Sequence, residues 1–395
     1  MPTPTSTCRK IQWKGRAAYC LANDLIELTA LTGGGSIAAL RLLSRSSQPG
    51  ENILWEAPWT TLDPDRYDER RHKKPYGPHF VGKFLAGFTG HALCLDCFGP
   101  PSDEEIRQGL CLHGEAGVSR WKTKATSVSS QQVSLKMSVK APPSGLEFER
   151  QLALRKGEPV VYVNESVRNP SAADHYFHWT QHVTFGPPFL DPQHSTIALS
   201  AERGITWPLG YEGNSLLQNS REFRWPNAPA EGGGTADLSR PFAVAGKGFV
   251  AAVLTKTENA AAYLAVLNRK LGLVAGYCFR RERFPWIAVW EENCSRQGAP
   301  WNGKTQARGL EFGTTPMPLG KEASFRSGPL FDTPTYCRVP AKSKINAGYV
   351  AFLARVEQGW QEIRDVEIAD QAIVIRGDAG RQVKVPAHKL KQAIV

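Results

Sequence analysis

The side chains best suited to proton transfer are concentrated between residues 174 and 191. Three of the nine histidines of the chain lie in this stretch, His175, His178 and His182, with aromatic residues between them. Imidazole titrates near neutral pH, so each of these side chains could donate or accept a proton. A strand that places a histidine beside aromatic rings is typical of a sugar-binding cleft. The alternative interpretation is that the three histidines only form structural hydrogen bonds inside a half-buried strand.

Two other patterns resemble metal sites but are incomplete. His113 and Glu115 have the spacing that opens the zinc deaminase signature, yet the Pro-Cys-x-x-Cys that should follow is missing. Cys94 and Cys97 form a lone Cys-x-x-Cys pair, without the second pair or the two histidines that a zinc site requires. We therefore predict structural thiols, no bound metal and no cofactor.

Composition and charge narrow the class of protein. The chain has 395 residues, 41% of them hydrophobic and 22% charged, which is ordinary for a soluble globular protein. The net charge is +11, but the basic residues are scattered and no nucleic-acid-binding motif is present. We predict a solvated basic surface, which would favour acidic or phosphorylated sugars, and no nucleic-acid partner.

The first ten residues lack a signal-peptide core and no stretch could span a membrane, so the expected location is cytoplasmic.

Short segments that alternate apolar and polar residues run along most of the chain and predict β-strands. No long helix is predicted, and residues 63–78 are interpreted as a loop. The expected fold is mainly β, a large antiparallel β-sandwich with two sheets face to face. We expect one domain over residues 1–395, with a core at about 20–330 and additional strands at 331–395. The clearest predicted strands cover residues 25–31, 37–43, 133–139, 146–154, 160–168, 249–254, 262–266, 273–279, 284–290, 349–353, 366–368, 372–375 and 383–385.

Four segments, in the expected order, resemble landmarks of the aldose 1-epimerases, or galactose mutarotases. Leu-His-Gly-Glu at 112–115 resembles the Leu-His-Gly motif of that family, and residues 149–171 resemble its strand pair that ends in an asparagine turn. Gln-His-Val-Thr-Phe at 181–185 is similar to the family's Asn-His-x-x-Phe strand. Arg-Gly-Leu-Glu-Phe-Gly at 308–313 is similar to its late strand that carries a glutamate.

The resemblance implies a galactose mutarotase-like supersandwich and an isomerase that interconverts sugar anomers. His182 would be the general acid at the ring oxygen, and Glu311 would be the base at the anomeric hydroxyl. His113 would hold the ring oxygen or a neighbouring hydroxyl. These roles agree with the chemistry, because opening a cyclic hemiacetal removes a proton from O1 and supplies one to O5.

Further substrate-binding residues are expected around this pair. Glu115 and Trp290 are candidates, and Lys83 is a candidate replacement for the arginine of a Gly-Arg-Tyr-Ala-Asn-Arg segment that this sequence lacks. The family's tyrosine–phenylalanine pair precedes His182 here instead of following it. His178 is therefore both a candidate binding residue and, like His175, an alternative to His182.

Other functions remain open, because a fold alone does not determine activity. A lyase or hydrolase on the same scaffold would use an extra carboxylate, and a metal-assisted variant would use an N/O ligand set. The third possibility is a sugar-binding protein without catalysis. The sequence does not reveal the sugar or the oligomeric state. The extra carboxylates considered are Glu115, Asp191, Glu291 and Glu292, and the metal-assisted set is His113, Glu115, His182 and Glu311.

Overall fold

The structure is a computed structural model that describes residues 6–44, 48–212 and 214–394. Within these residues, segments of alternating apolar and polar residues form 25 strands. The strands are β1 (Thr7–Trp13), β2 (Arg16–Ala22), β3 (Ile26–Leu31), β4 (Ile37–Leu42), β5 (His91–Asp96), β6 (Lys122–Val128), β7 (Gln132–Ala141), β8 (Leu146–Arg155), β9 (Val160–Arg168), β10 (His175–Phe185), β11 (Ser195–Leu199), β12 (Ala201–Thr206), β13 (Glu222–Arg224), β14 (Asn227–Pro229), β15 (Thr235–Asp237), β16 (Lys247–Thr255), β17 (Ala261–Asn268), β18 (Leu273–Arg280), β19 (Trp286–Asn293), β20 (Gln306–Gly313), β21 (Cys337–Val339), β22 (Lys344–Arg355), β23 (Ile363–Ile368), β24 (Ala372–Gly377) and β25 (Gln382–Pro386).

The helices of the described residues are short. They are α1 (Glu69–Tyr76), α2 (His79–Gly87), α3 (Asp103–Arg107), α4 (Lys321–Ser327) and α5 (Leu390–Ala393), with 3-10 turns at Pro64–Arg66, Ala116–Val118 and Asp378–Gly380. None of the helices in these ranges is long and apolar enough to cross a membrane.

Two large antiparallel sheets form the sandwich, which confirms the predicted fold class. The first sheet has the order β1-β2-β3-β4-β5-β10-β20-β19-β16-β12-β13-β14-β15, with β21 also paired to β10. The second has the order β11-β17-β18-β22-β9-β8-β7-β6. The main apolar core lies between them, where Val183 and Leu310 of the first sheet share one cluster with Val161 and Tyr277 of the second.

A third sheet, β23-β24-β25, covers the outer face of the second sheet. Trp360, Ile363 and Ile375 of this C-terminal region pack in one apolar cluster with Tyr162 and Phe352. The second sheet is therefore buried on both faces, which explains why β18 and β22 are almost continuously buried. β22 itself lies inside the second sheet, between β18 and β9.

A buried polar network crosses the space between the two large sheets. The Arg150 Nε atom lies 2.6 Å from Glu165 Oε1, and Gln181 Nε2 donates to Glu165 Oε2 at 2.6 Å. The Tyr349 hydroxyl oxygen lies 3.0 Å from Glu165 Oε1 and 3.0 Å from Gln181 Oε1, and can donate its one proton to either. His91 Nε2 lies 3.0 Å from Gln181 Oε1. The network joins β8, β9 and β22 of the second sheet to β5 and β10 of the first.

The region 63–78 is not the simple loop that the sequence predicts. It contains the Pro64–Arg66 turn and α1, whose first turn is capped by the Asp68 side chain accepting from Arg70 N at 2.9 Å. The loop prediction was wrong because α1 is highly charged, has a proline at position 75 and lacks an apolar stripe. α2 follows directly, and a Cβ at Gly87 would overlap the Pro64 ring.

All eight cysteines are free thiols. Five are buried, among them Cys20 in β2, Cys94 in β5 and Cys278 in β18. Burial raises the pKa of each of these three thiols, to about 11 for Cys20, and raises that of Cys97 to about 12. Thiols with raised pKa values react slowly, since the thiolate is the nucleophile.

Candidate active site

The candidate site lies on the face of the first sheet that points away from the second sheet. β10 and β20 are antiparallel neighbours, and their register places His182 directly opposite Glu311. Successive residues of a strand point to opposite faces. Because Val183 and Leu310 enter the main core, His182 and Glu311 project together from the other face.

His182 and Glu311 are in contact and nearly inaccessible to solvent. His182 Nε2 lies 3.3 Å from Glu311 Oε1, and the two residues are 4% and 2% exposed. The other imidazole nitrogen, Nδ1, lies 3.1 Å from the Thr184 hydroxyl. Both ring nitrogens therefore have a polar neighbour, and the ring orientation is fixed.

Burial favours the uncharged forms of this pair. Desolvation lowers the pKa of His182 to about 3 and raises the pKa of Glu311 well above its ordinary value. Both shifts favour a neutral pair, in which the Glu311 carboxyl group carries the shared proton and His182 Nε2 is positioned to accept it.

Small residues leave room for the Glu311 carboxyl group. Ala288 of β19 lies opposite Glu311, and Gly309 precedes it by two positions on the same face of β20. A Cβ on Gly309 would overlap Glu311 Oε1 and come within 3.2 Å of the Trp290 ring. The glycine is therefore required for the carboxyl position, not for its own backbone angles.

Aromatic rings surround His182. The centroid of its ring lies 5.0 Å from that of Phe88, 5.4 Å from that of His113 and 5.9 Å from that of Trp290. Phe88 directly follows α2, and Trp290 comes from β19. This apolar enclosure causes the desolvation that shifts the two pKa values.

His113 is held by a tight loop beside the pair. Its Nδ1 accepts a hydrogen bond from Gly99 N at 3.2 Å, so the neutral ring carries its proton on Nε2. Burial, with a smaller contribution from the nearby Arg296 guanidinium, lowers the pKa of His113 well below its ordinary value. The following residue, Gly114, has φ +83° and touches the Leu95 carbonyl so closely that a Cβ would not fit.

A cavity of about 410 Å³ opens above these residues. α2, residues 207–212 and the segment after β19 form much of its wall. Most of the lining side chains are apolar or aromatic. The polar ones are His113, His182, Tyr211, Glu212, Arg296 and Glu311.

Arg296 and Tyr211 are cavity residues that the sequence interpretation missed. The guanidinium carbon of Arg296 lies 4.8 Å from the ring centroids of both Tyr211 and Trp301. Its Nε lies 3.4 Å from Glu212 Oε2 and 3.7 Å from Glu292 Oε2. Arg296 follows the end of β19 in a turn, where no motif identifies it, and only its position after an aromatic strand is suggestive.

Three of the expected binding residues, Lys83, Glu115 and His178, do not line the cavity. Lys83 belongs to α2, but its neighbours Phe84 and Leu85 form the wall instead. The Glu115 carboxyl group accepts from Ser144 N at 2.9 Å, and burial raises its pKa to about 7.

The two alternatives to His182 on β10 are also engaged elsewhere. His178 Nδ1 accepts from Phe98 N at 3.0 Å, and burial lowers the pKa of His178 to about 3. His175 Nε2 lies 2.6 Å from Asp96 Oδ1. Of the candidates named from the sequence, the cavity brings together His182, Glu311, His113 and Trp290.

The carboxylates proposed for a lyase, a hydrolase or a metal site are dispersed. Glu291 is paired with Arg308, and Asp191 lies 2.8 Å from His194. Glu292 is buried and accepts from the Tyr211 hydroxyl at 2.8 Å. Across residues 6–44, 48–212 and 214–394, no group of three or more histidines, cysteines or acidic residues is arranged to hold a metal ion.

No protein-family model matches the sequence, and no curated protein matches it. Several solved structures are nevertheless similar over most of the chain. A proposed aldose 1-epimerase from Klebsiella pneumoniae subsp. pneumoniae aligns with a TM-score of 0.60 and 15% identity, over 87% of this chain and 80% of that one. A proposed mutarotase from Salmonella typhimurium aligns with a TM-score of 0.58 and 12% identity, over 90% and 95%.

A galactose mutarotase-like protein from Clostridium acetobutylicum gives a TM-score of 0.55 at 12% identity, over 89% of this chain and 99% of that one. Structural similarity at such low sequence identity shows the fold alone, so the activity must be argued from the site. The sandwich of two large antiparallel sheets and these alignments agree. The chain has a fold similar to that of the galactose mutarotase-like proteins.

Proposed function

We propose that this protein is a carbohydrate-active isomerase of the aldose 1-epimerase type. The observation that supports this most strongly is the contact of 3.3 Å between His182 Nε2 and Glu311 Oε1 at the floor of the cavity. An imidazole and a carboxyl group side by side, both shielded from water, can move protons to and from adjacent oxygens of one sugar ring. Two of the structural neighbours are named as a proposed aldose 1-epimerase and a proposed mutarotase, which is the same class of reaction.

The reaction needs two proton transfers and no other reagent. Opening the ring breaks the C1–O5 bond, while O1 loses a proton and O5 gains one, so a cyclic hemiacetal becomes a hydroxyaldehyde. Rotation about C1–C2 then presents the other face of the carbonyl to the O5 hydroxyl. Reclosure by the reverse transfers gives the other anomer, and atoms and electrons balance throughout.

The single proton of the pair is sufficient for this cycle. Transfer across the 3.3 Å contact places the resting proton of Glu311 on His182 and leaves a carboxylate. His182 then protonates O5 and Glu311 takes the O1 proton, which returns the pair to its resting form in the open-chain complex. Reclosure uses the same two groups in reverse.

The neighbouring residues would orient the ring. His113, with its proton on Nε2, is a donor for O5 or an adjacent hydroxyl. Trp290 contributes an aromatic face on which the C–H surface of a sugar can stack. Arg296, near the Trp290 ring at 5.9 Å, can donate to a sugar oxygen at the cavity edge.

Proton NMR exchange between anomers tests this proposal. A panel of free sugars and sugar acids is measured with wild-type protein, His182→Ala, Glu311→Gln and the surface control His194→Ala. Catalysed exchange is expected with the wild type and the control, and each site variant should lose about 10²–10⁴-fold.

Catalysed exchange at the wild-type rate in both site variants would contradict the roles of His182 and Glu311. Sugar signals that broaden without accelerated exchange would contradict the isomerase and indicate a binding protein.

A further inference from the structure

The walls of the cavity offer few hydrogen-bond partners. α2 contributes Phe84 and Leu85, the first sheet contributes Val250 and Trp290, and Trp301 lies beyond β19. These side chains belong to one apolar cluster on the outer face of that sheet. The apolar lining continues to the mouth, where Leu209 lines the cavity although it is 59% exposed.

Several polar groups at the wall are already engaged with each other. The Tyr211 hydroxyl donates to Glu292 Oε2 at 2.8 Å and accepts from Trp290 Nε1 at 2.9 Å. The indole N–H is therefore unavailable to a ligand, and the phenol has already used its only proton. Arg296 and Glu212 lie at the open edge, with side chains 20% and 82% exposed.

Apart from Arg296 and Glu212 at the edge, the charged and imidazole side chains of the lining are concentrated at one place. His182 and Glu311 would be occupied by O1 and O5, and His113 can bind one adjacent oxygen. A hexopyranose also has hydroxyls at C2, C3, C4 and C6. His113 and Arg296 can each bind one of them, and the aromatic walls offer few partners to the others. A hydroxyl buried without a partner weakens binding by roughly tenfold or more.

We infer that the ligand of this cavity is a cyclic hemiacetal with few hydroxyls, such as a deoxy sugar, whose C–H surface packs against the aromatic walls. The hemiacetal part of this inference rests on the proposed function, whereas the scarcity of hydroxyls rests on the lining. The volume of about 410 Å³ falls within the range of about 300–1,000 Å³ for drug-sized ligands. It also leaves room for an apolar substituent on the ring.

Binding can be measured independently of catalysis with methyl glycosides, which cannot open. Tetrahydropyran, a methyl 2,6-dideoxyhexoside and the parent methyl hexoside are titrated against the tryptophan fluorescence of the protein, since Trp290 and Trp301 line the cavity. The dideoxy glycoside should bind at least about tenfold more tightly than its parent. Equal or tighter binding of the parent hexoside would overturn the inference.

Anomeric exchange of the two free sugars separates this inference from the proposed function. Rates are divided by the spontaneous rate of each sugar. Tighter binding of the dideoxy glycoside without catalysed exchange would leave the ligand class standing and reject the isomerase. Faster catalysed exchange of the parent hexose would support the isomerase and reject the ligand class.

Val250→Thr provides a sharper test, because it places a hydroxyl in the wall with little change in shape. The preference for the dideoxy glycoside should fall by up to about tenfold, while Val128→Thr on the exposed strand β6 should leave it unchanged. Leu209→Asn at the exposed mouth is a second variant that avoids the core. An unchanged preference in both cavity variants, with unfolding curves like the wild type, would overturn the inference.

Discussion

Burial sets the pH range over which His182 and Glu311 can hold one proton between them. A second proton would be added only near pH 3, because burial lowers the pKa of His182 to about that value. The first is removed only above the raised pKa of Glu311. We expect kcat/KM to keep its neutral value at pH 5, where an ordinary histidine, with a pKa of about 6.5, would be protonated.

The measurement is the pH dependence of catalysed anomeric exchange, at substrate concentrations well below KM. The apparent pKa values belong to the pair as a unit. Loss of half the activity between pH 6 and 7 would mean that an ordinary exposed histidine controls the rate, and would contradict the neutral-pair description.

Glu115 is a second buried carboxyl group, and it lies outside the cavity lining. We expect its titration to affect stability. Burial raises its pKa to about 7, above the value of about 4.3 expected in the unfolded chain. The folded state therefore holds this proton more tightly. The resulting stability is fully present below about pH 4.3 and is lost as the pH rises through 7.

Glu115→Gln removes this titration and should raise the free energy of unfolding at pH 8 by about 1–3 kcal/mol. At pH 4 the substitution should bring no gain, because Glu115 is protonated in both states. Urea unfolding at the two pH values tests the difference. An equal effect at pH 4 and pH 8 would rule out the raised pKa as its cause.

At the scale of secondary structure, β20 leaves room for the Glu311 carboxyl group, the proposed base, because Gly309 has no side chain. Gly309→Ala would introduce a Cβ that overlaps Glu311 Oε1 and push the carboxyl group away from His182. A displacement of about 1 Å can reduce catalysis by about 10²-fold. We expect a loss of that size in catalysed exchange, with the variant still folded.

The matched control is Gly232→Ala, because a Cβ there meets no atom within 4 Å. Circular dichroism and thermal unfolding verify the fold of both variants. Wild-type exchange rates in Gly309→Ala would argue against the requirement for the present carboxyl position.

The strands were predictable from the sequence where alternation is strong. The predicted strands at 25–31 and 37–43 correspond to β3 and β4, which pair antiparallel, and those at 133–139 and 146–154 lie within β7 and β8. In β7 and β8 the period-two pattern persists because one face of each strand is more deeply buried than the other. α1 was missed because its charged residues give no periodic signal, and its helical state depends on the Asp68 cap and on packing that sequence reasoning does not contain.

The site was only partly predictable, because some of its residues are brought to the cavity by tertiary folding and belong to no sequence motif. Resemblance to a known family indicated His182, Glu311 and His113, which lie close together in the structure. Arg296 comes from a turn, and tertiary folding brings it to the cavity beside the Tyr211 ring. Lys83 was chosen for its charge within an aromatic segment, but the helical periodicity of α2 directs its neighbours to the wall instead.

At the scale of the whole molecule, the polar network around Arg150 and Glu165 connects the two large sheets. Arg150→Met would leave the Glu165 carboxylate buried without its cation. Removing one partner of a buried ion pair typically costs about 3–5 kcal/mol, so we expect a loss of that size in the free energy of unfolding, measured with urea.

The matched control is Arg168→Met, because Arg168 and Glu147 form an ion pair across the same two strands, β8 and β9, at the surface. An exposed pair is worth about 0–1 kcal/mol. Equal destabilisation by the two substitutions would indicate that the buried network adds nothing beyond the surface pair.

The buried free thiols can serve as natural probes of local opening in the sandwich. Cys20 and Cys94 lie in the first sheet and Cys278 in the second, and all three are inaccessible to reagents while the strands are closed. An alkylating reagent would therefore modify each cysteine only when its strand opens, so the labelling rate reports how often that strand opens. The order in which labelled peptides accumulate would reveal which layer of the sandwich separates first.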